Sequence, residues 1–184
     1  MSRSALIVID VQNDYFPGGK WEQVGMNDAA DNVGQLLAHF RASHAPVVHI
    51  RHEFPSADAP FFTPGSEGAQ IHPKAAPVDG EPVLLKHFIN SFRETPLLAT
   101  LKEQQVEQVV ICGAMSHMCV DACTRASNDF GFKVVVVHDA CASRDLEFNG
   151  VRVAAASVHA AFMAALAFAY ANVVSTRQFI QGEA

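Results

Sequence analysis

The chain of 184 residues is 49% hydrophobic and 17% charged, which suits a single domain over residues 1–184 with a substantial core and leaves little for a second. A formal net charge of −6 without any basic run argues against a nucleic-acid-binding surface. The longest apolar stretch, Ala160 to Val174, is interrupted by Asn172 and falls short of the ~20 residues needed to cross a bilayer, so no membrane segment is expected.

From the start, Ala5 to Ile9 is a continuous apolar run ending at Asp10, which suits a strand buried on both faces that delivers a carboxylate at its carboxyl end. A loop from Gln12 to Gly19 leads to a helix capped by Asn27 or Asp28 and running to about Ser43, with Val33, Leu36, Leu37 and Phe40 on one face. Pro46 to Ile50 makes the next strand. Residues 51 to 81 carry prolines, glycines and no sustained period, which reads as a covering loop whose Phe54, Phe61 and Phe62 could line a pocket.

Val83 to Leu85 is a short strand ending on Lys86, and Pro96 to Gln104 a helix with Thr95 as its cap. Val109 to Cys112 is an apolar strand that breaks at Gly113 and resumes as a helix carrying Cys119 on its first turn and ending near Gly131. A thiol there would lie at the carboxyl edge of a parallel sheet, where α/β proteins bind ligands, and in the positive end of a helix dipole that favours thiolate. Lys133 to His138 is another strand. An Ala-rich helix from about Leu146 or Val151 to Ala169 precedes a last strand, Ala171 to Val174, and a polar tail. Strands alternating with helices at this spacing predict βαβ units and a three-layer α/β/α sandwich around a parallel, Rossmann-like sheet of about six strands.

Three strands therefore bring Asp10, Lys86 and Cys119 to one sheet edge. A cysteine hydrolase needs such a set: a thiol, a cation beside it and a carboxylate to shuttle a proton to the leaving group. No GxGxxG or GxxxxGK[ST] follows any strand, so a dinucleotide or phosphate fold is not indicated and no cofactor is implied. Four cysteines without an N-terminal signal segment read as free thiols in a reducing cytoplasm.

In the segments IVIDVQNDY, LLKHFINSF, GAMSHMCVDACTRAS and VHDACASR, the chain resembles the isochorismatase-like cysteine hydrolases, a superfamily that includes nicotinamidases, N-carbamoylsarcosine amidases and isochorismatases. The resemblance covers nearly the whole chain. It implies a catalytic triad of Asp10, Lys86 and Cys119, a cis peptide between Ala114 and Met115, and an oxyanion hole from the backbone N–H groups of Met115 and Cys119. Nicotinamidases also carry an Asp-x-His pair and a further His that bind a metal. Here the corresponding stretch is HIRHEF, where His49 and Arg51 take that spacing and no Asp is present, so no metal is expected. Arg51, His52 and Glu53 are expected to border the pocket or hold the covering loop, and Gln12, Phe16 and His117 join the three loop phenylalanines as candidate substrate contacts.

The reaction expected is metal-independent hydrolysis of a small amide or related C–N bond through a Cys119 thioester. A vinyl ether hydrolase of the isochorismatase type and a non-catalytic binding module are the alternatives. The Ala-rich segment Val153 to Ala171 is apolar on more than one face, which predicts a homo-oligomer, most simply a twofold dimer.

Overall fold

A computed structural model describes residues 3–183. The elements run β1 (Ser4–Ile9), α1 (Met26–Ala42), β2 (Val47–His52), β3 (Val83–Lys86), α2 (Leu97–Glu103), β4 (Gln108–Ala114), α3 (Asp121–Asp129), β5 (Lys133–Ala142), β6 (Leu146–Phe148), β7 (Val151–Val153), α4 (Ala155–Ala169), β8 (Asn172–Val174) and α5 (Thr176–Ile180). Six strands form one sheet in the order β3-β2-β1-β4-β5-β8, every neighbouring pair parallel. Helices cover both faces, giving the three-layer α/β/α sandwich.

The continuous apolar run of β1 follows from its central place, because successive side chains enter opposite layers. Leu6 and Val8 pack with Val33, Leu36, Leu37 and Phe40 of α1, whereas Ala5, Ile7 and Ile9 pack with Leu97 and Leu101 of α2 and with Val120 and Cys123. Burying a side chain such as Leu36 or Ile7 contributes roughly 2 kcal/mol. Gly113 leaves no room for a side chain between β4 and β1. It has φ +119, and a β-carbon there would overlap the backbone of Ile9, its partner across the sheet.

Several local expectations change. Gly25, in the left-handed conformation, occupies the cap of α1, so Asn27 and Asp28 lie inside the helix. The chain between Met115 and α3 is a wide π-type turn over Ser116–Val120, so Cys119 sits in that turn rather than in the first turn of a regular helix. Residues 146–153 pair as a small antiparallel hairpin, β6 with β7, and α4 begins only at Ala155. Its strands hold Phe148 and Val151, whose side chains need not satisfy a helical period. Part of the polar tail is helical: Ser175 caps α5 by accepting from Gln178 N, and the Gln178 side chain returns the contact to Ser175 N. No helix among the described residues is long and apolar enough to cross a membrane.

Candidate active site

Each parallel strand ends on the same edge of the sheet. Asp10 follows β1 with φ +50, a left-handed conformation that costs an Asp little but marks a constrained position. Lys86 is the last residue of β3 and lies in register with His52, the last of β2. Both Asp10 and Lys86 are fully buried, and the Lys86 ammonium meets Asp10 Oδ2 at 2.8 Å, Cys119 Sγ at 3.2 Å and His52 Nδ1 at 2.7 Å. An ammonium has three N–H donors, so these three neighbours saturate it.

Burial would by itself depress the Lys86 pKa, but the Asp10 carboxylate and Cys119 outweigh it and the net shift is upward, so the ammonium stays charged. Burial pushes the Cys119 thiol well up, Asp10 pushes it further, and Lys86 opposes both without cancelling them. The resting cysteine is therefore a thiol, not the thiolate that a helix N-terminus alone would favour. Burial and the Lys86 charge together lower the His52 pKa to about 4, which keeps the ring neutral. Donor atoms of Asp10, His52 and Cys119 lie within 4.8 Å of one another, close enough to suggest a metal site. The set does not fit a metal, because the Lys86 ammonium already supplies the cation at its centre.

Above Cys119 lies a cavity of about 260 Å³. Tyr15, Trp21, Phe54, Phe61 and Ile89 line it with His52, Met115, Met118 and Cys119. The aromatic rings form one cluster: Trp21 stacks on Phe61 at 4.7 Å between centroids, and Phe54 meets Phe61 edge-on at 5.1 Å. The Ala114–Met115 peptide is cis and directly precedes the π-type turn.

The covering loop is fastened from below. Gln12 donates to the carbonyls of His52 and Ala69, both at 2.8 Å, and accepts from His52 N at 2.8 Å. The carboxylate of Asp14 accepts from Phe62 N at 2.7 Å and from Lys20 N at 3.2 Å. Glu53 pairs with Arg51 at 3.2 Å and accepts from Gly65 N, so this pair holds the loop.

Of the candidate substrate contacts, Phe54 and Phe61 line the cavity and four others do not. Gln12 spends its amide on the backbone of the loop. Phe62 is buried beneath Tyr15, 4.6 Å from its ring centroid. Phe16 stacks on His72 at 3.6 Å, away from Cys119. His117 bonds the Ser143 hydroxyl at 2.8 Å and faces Phe162. His49 contacts the Glu81 carboxylate at 2.9 Å, outside this cluster. Tyr15, Trp21, Ile89 and Met118 carry no sequence signal that marks them as lining, since the covering loop and the π-type turn place them.

The match extends well beyond these residues. Residues 4–178 fit the Isochorismatase domain family model. The chain is 46% identical over 178 residues to the isochorismatase family protein YddQ of Bacillus subtilis (strain 168), covering 97% of this chain and 99% of that protein. It is 31% identical over 156 residues to the maleamate amidohydrolase of Pseudomonas putida, covering 77% of this chain and 73% of that protein. A crystal structure of an isochorismatase hydrolase from Oleispira antarctica superposes with a TM-score of 0.95 at 55% identity, over 98% of this chain and 97% of that one. With the family's fold and sequence present from β1 to α5, the chain belongs to the isochorismatase family and is a hydrolase.

Proposed function

We propose that this hydrolase cleaves a small amide, or a related C–N bond, through a thioester on Cys119 and without a metal. The observation that carries the reading is the buried cluster of Asp10, Lys86 and Cys119 at the floor of an apolar cavity. Similarity to an enzyme named as an amidohydrolase supports the bond type.

In the first step Asp10 takes the thiol proton as Sγ bonds to the carbonyl carbon, and the carbonyl π electrons move onto oxygen. The N–H groups of Met115 and Cys119 donate to that oxyanion. Collapse breaks the C–N bond while Asp10 returns the proton to the departing nitrogen. Water then attacks the thioester, Asp10 accepts its proton, and breaking the C–S bond releases the acid and restores the thiol. Lys86, in contact with both Asp10 and the sulfur, steadies negative charge on whichever of them carries it.

A screen of small amides together with isochorismate tests the reaction. Amine release from an amide, with an acyl adduct on Cys119 in the intact mass and no turnover by Cys119→Ala, is the expected result. Cleavage of isochorismate that survives Cys119→Ala would replace this reading with vinyl ether hydrolysis. Ligand-induced stabilisation without product from any of these compounds would replace it with a binding module. We propose, too, a twofold dimer in the cytoplasm. Phe168 on α4 is 90% exposed and Phe148 on the hairpin 78%, and the four cysteines are unpaired.

A further inference from the structure

Residues 21 to 24 run beside the end of β5. Val24 N donates to the Ser143 carbonyl at 2.8 Å, which brings the next residue, Arg144, against Trp21. The guanidinium carbon of Arg144 lies 4.0 Å from the centroid of the Trp21 ring, and its Nη1 is buried with no hydrogen-bond partner among the described residues. Its charge is felt on the cavity wall: burial, Cys119 and Asp10 raise the Tyr15 pKa, and Arg144 opposes them. A buried cation without an acceptor is costly, and an anion within reach would be drawn to it.

Trp21 stands in the way, because it lines the cavity over Cys119 and Arg144 does not. Its position is fixed: Trp21 N donates to the Asp14 carbonyl at 2.8 Å, Gln23 Nε2 donates to the Trp21 carbonyl at 2.7 Å, and the Phe61 ring stacks on the indole, 14° from parallel. Phe54, Phe61, Ile89 and Met118 continue the wall, and among the described residues no lysine, arginine or carboxylate joins it. The volume of about 260 Å³ is below the ~300–1,000 Å³ usual for drug-sized ligands, so the acyl group is small. A carboxylate entering this wall would lose its water and gain no partner.

We infer that Trp21 is the specificity-determining residue of this site: by covering Arg144 it keeps the cavity wall free of charge and selects uncharged amides with an apolar acyl group. This rests on the amide-hydrolase reading for the bond cleaved, whereas the selection itself is a matter of binding. Loss of the indole would uncover a guanidinium suited to a carboxylate, so one substitution should reverse the preference.

The test compares succinamate with 4-methylpentanamide, which has the same shape with an isopropyl end in place of the carboxylate. The neutral amide should exceed succinamate by about a hundredfold, both in kcat/KM with the parent enzyme and in affinity for Cys119→Ala. Trp21→Ala, its fold checked by circular dichroism, should lower that ratio by at least about tenfold, with succinamate gaining in absolute terms. A purely structural loss would weaken both compounds. Trp21→Leu keeps apolar volume but not the full cover, and should shift the ratio the same way if Trp21→Ala does not fold. Adding Arg144→Met to either variant should abolish the gain for succinamate, and Arg144→Met alone should leave the parent preference unchanged. Succinamate bound as well as the neutral amide by the parent, binding of neither, or a ratio unchanged in the folded Trp21 variants overturns the assignment. So does a succinamate gain that persists without Arg144. A binding preference that holds while neither amide is hydrolysed would leave Trp21 in its role and overturn the hydrolytic reading alone.

Discussion

Replacing Lys86 by Met keeps the length of the stem and removes the charge, and its cost follows from the ion pair that the change breaks. Asp10 and Lys86 are both fully buried and 2.8 Å apart, so the change leaves a carboxylate without its cation in a water-poor site. Breaking a buried pair from one side typically costs about 3–5 kcal/mol, a large share of the ~5–15 kcal/mol that holds a domain together. Urea unfolding followed by circular dichroism should therefore show Lys86→Met folded but markedly weakened, with turnover lost. The double variant Asp10→Asn, Lys86→Met removes both charges. It should be less destabilised than the sum of the two single changes by roughly 1–3 kcal/mol, while remaining inactive. The sulfur reports separately: loss of the ammonium should shift Cys119 alkylation to still higher pH. A Lys86→Met protein within ~1 kcal/mol of the parent, with an unchanged alkylation profile, would refute the coupling of these three groups.

Iodoacetamide should modify Cys119 before Cys112, Cys123 and Cys141, because burial raises all four thiols and Cys119 alone opens onto the cavity beside His52. Its rate should keep climbing with pH beyond ~8.5, the ordinary thiol value, and a plateau below that would contradict a resting thiol. Gly113→Ala should cost on the order of 4 kcal/mol through overlap with Ile9, while Gly18→Ala, at φ +87 in open space, should cost about 1 kcal/mol. Chemical denaturation read against pH separates the two. His52 titrates near 4 when folded and near 6.5 otherwise, so the unfolded chain binds the extra proton between those values. Stability should fall by up to ~3 kcal/mol as pH drops through that window, and His52→Asn should flatten this part of the curve. Light scattering at micromolar protein should give twice the 19.9 kDa chain mass, and a monomer mass would remove the proposed dimer.

The sheet was legible because period and position are local properties. Apolar runs at Ala5 to Ile9 and Val109 to Cys112, each bounded by a break, suit strands buried on both faces, and Asp10, which ends the first, had to arrive at the carboxyl edge. The hairpin at 146–153 was not legible. Its two three-residue strands are exposed throughout, so no burial pattern distinguishes them from an amphipathic turn of helix. The cavity wall was readable only in part. Phe54 and Phe61 announce themselves as aromatics in a loop, but Phe62, their neighbour, points into the core, and that choice is made by the Asp14 carboxylate gripping Phe62 N. Gln12 lies two residues from the cluster and has an amide suited to substrate, yet the buried backbone of the covering loop needs that amide more. Such assignments depend on residues 40 to 57 positions apart in the chain, beyond any local period.

Charge balance explains why the thiol rests protonated in a site built to use its sulfur. Asp10 contributes one negative charge and Lys86 one positive, while Cys119 and His52 are neutral, so the buried cluster carries no net charge. Ionising Cys119 into solvent would leave that pocket with an excess negative charge far from water, which burial penalises heavily. Passing the proton to Asp10 during attack instead moves charge within the cluster and then onto the carbonyl oxygen, where backbone donors receive it. The cluster thus stays near neutrality at each step, and the low dielectric that suppresses a free thiolate strengthens the hydrogen bonds to the oxyanion. A neutral His52 is part of the same balance. Protonating it would place two cations against one carboxylate, so activity that depends on this cluster should fail in acid before the fold does.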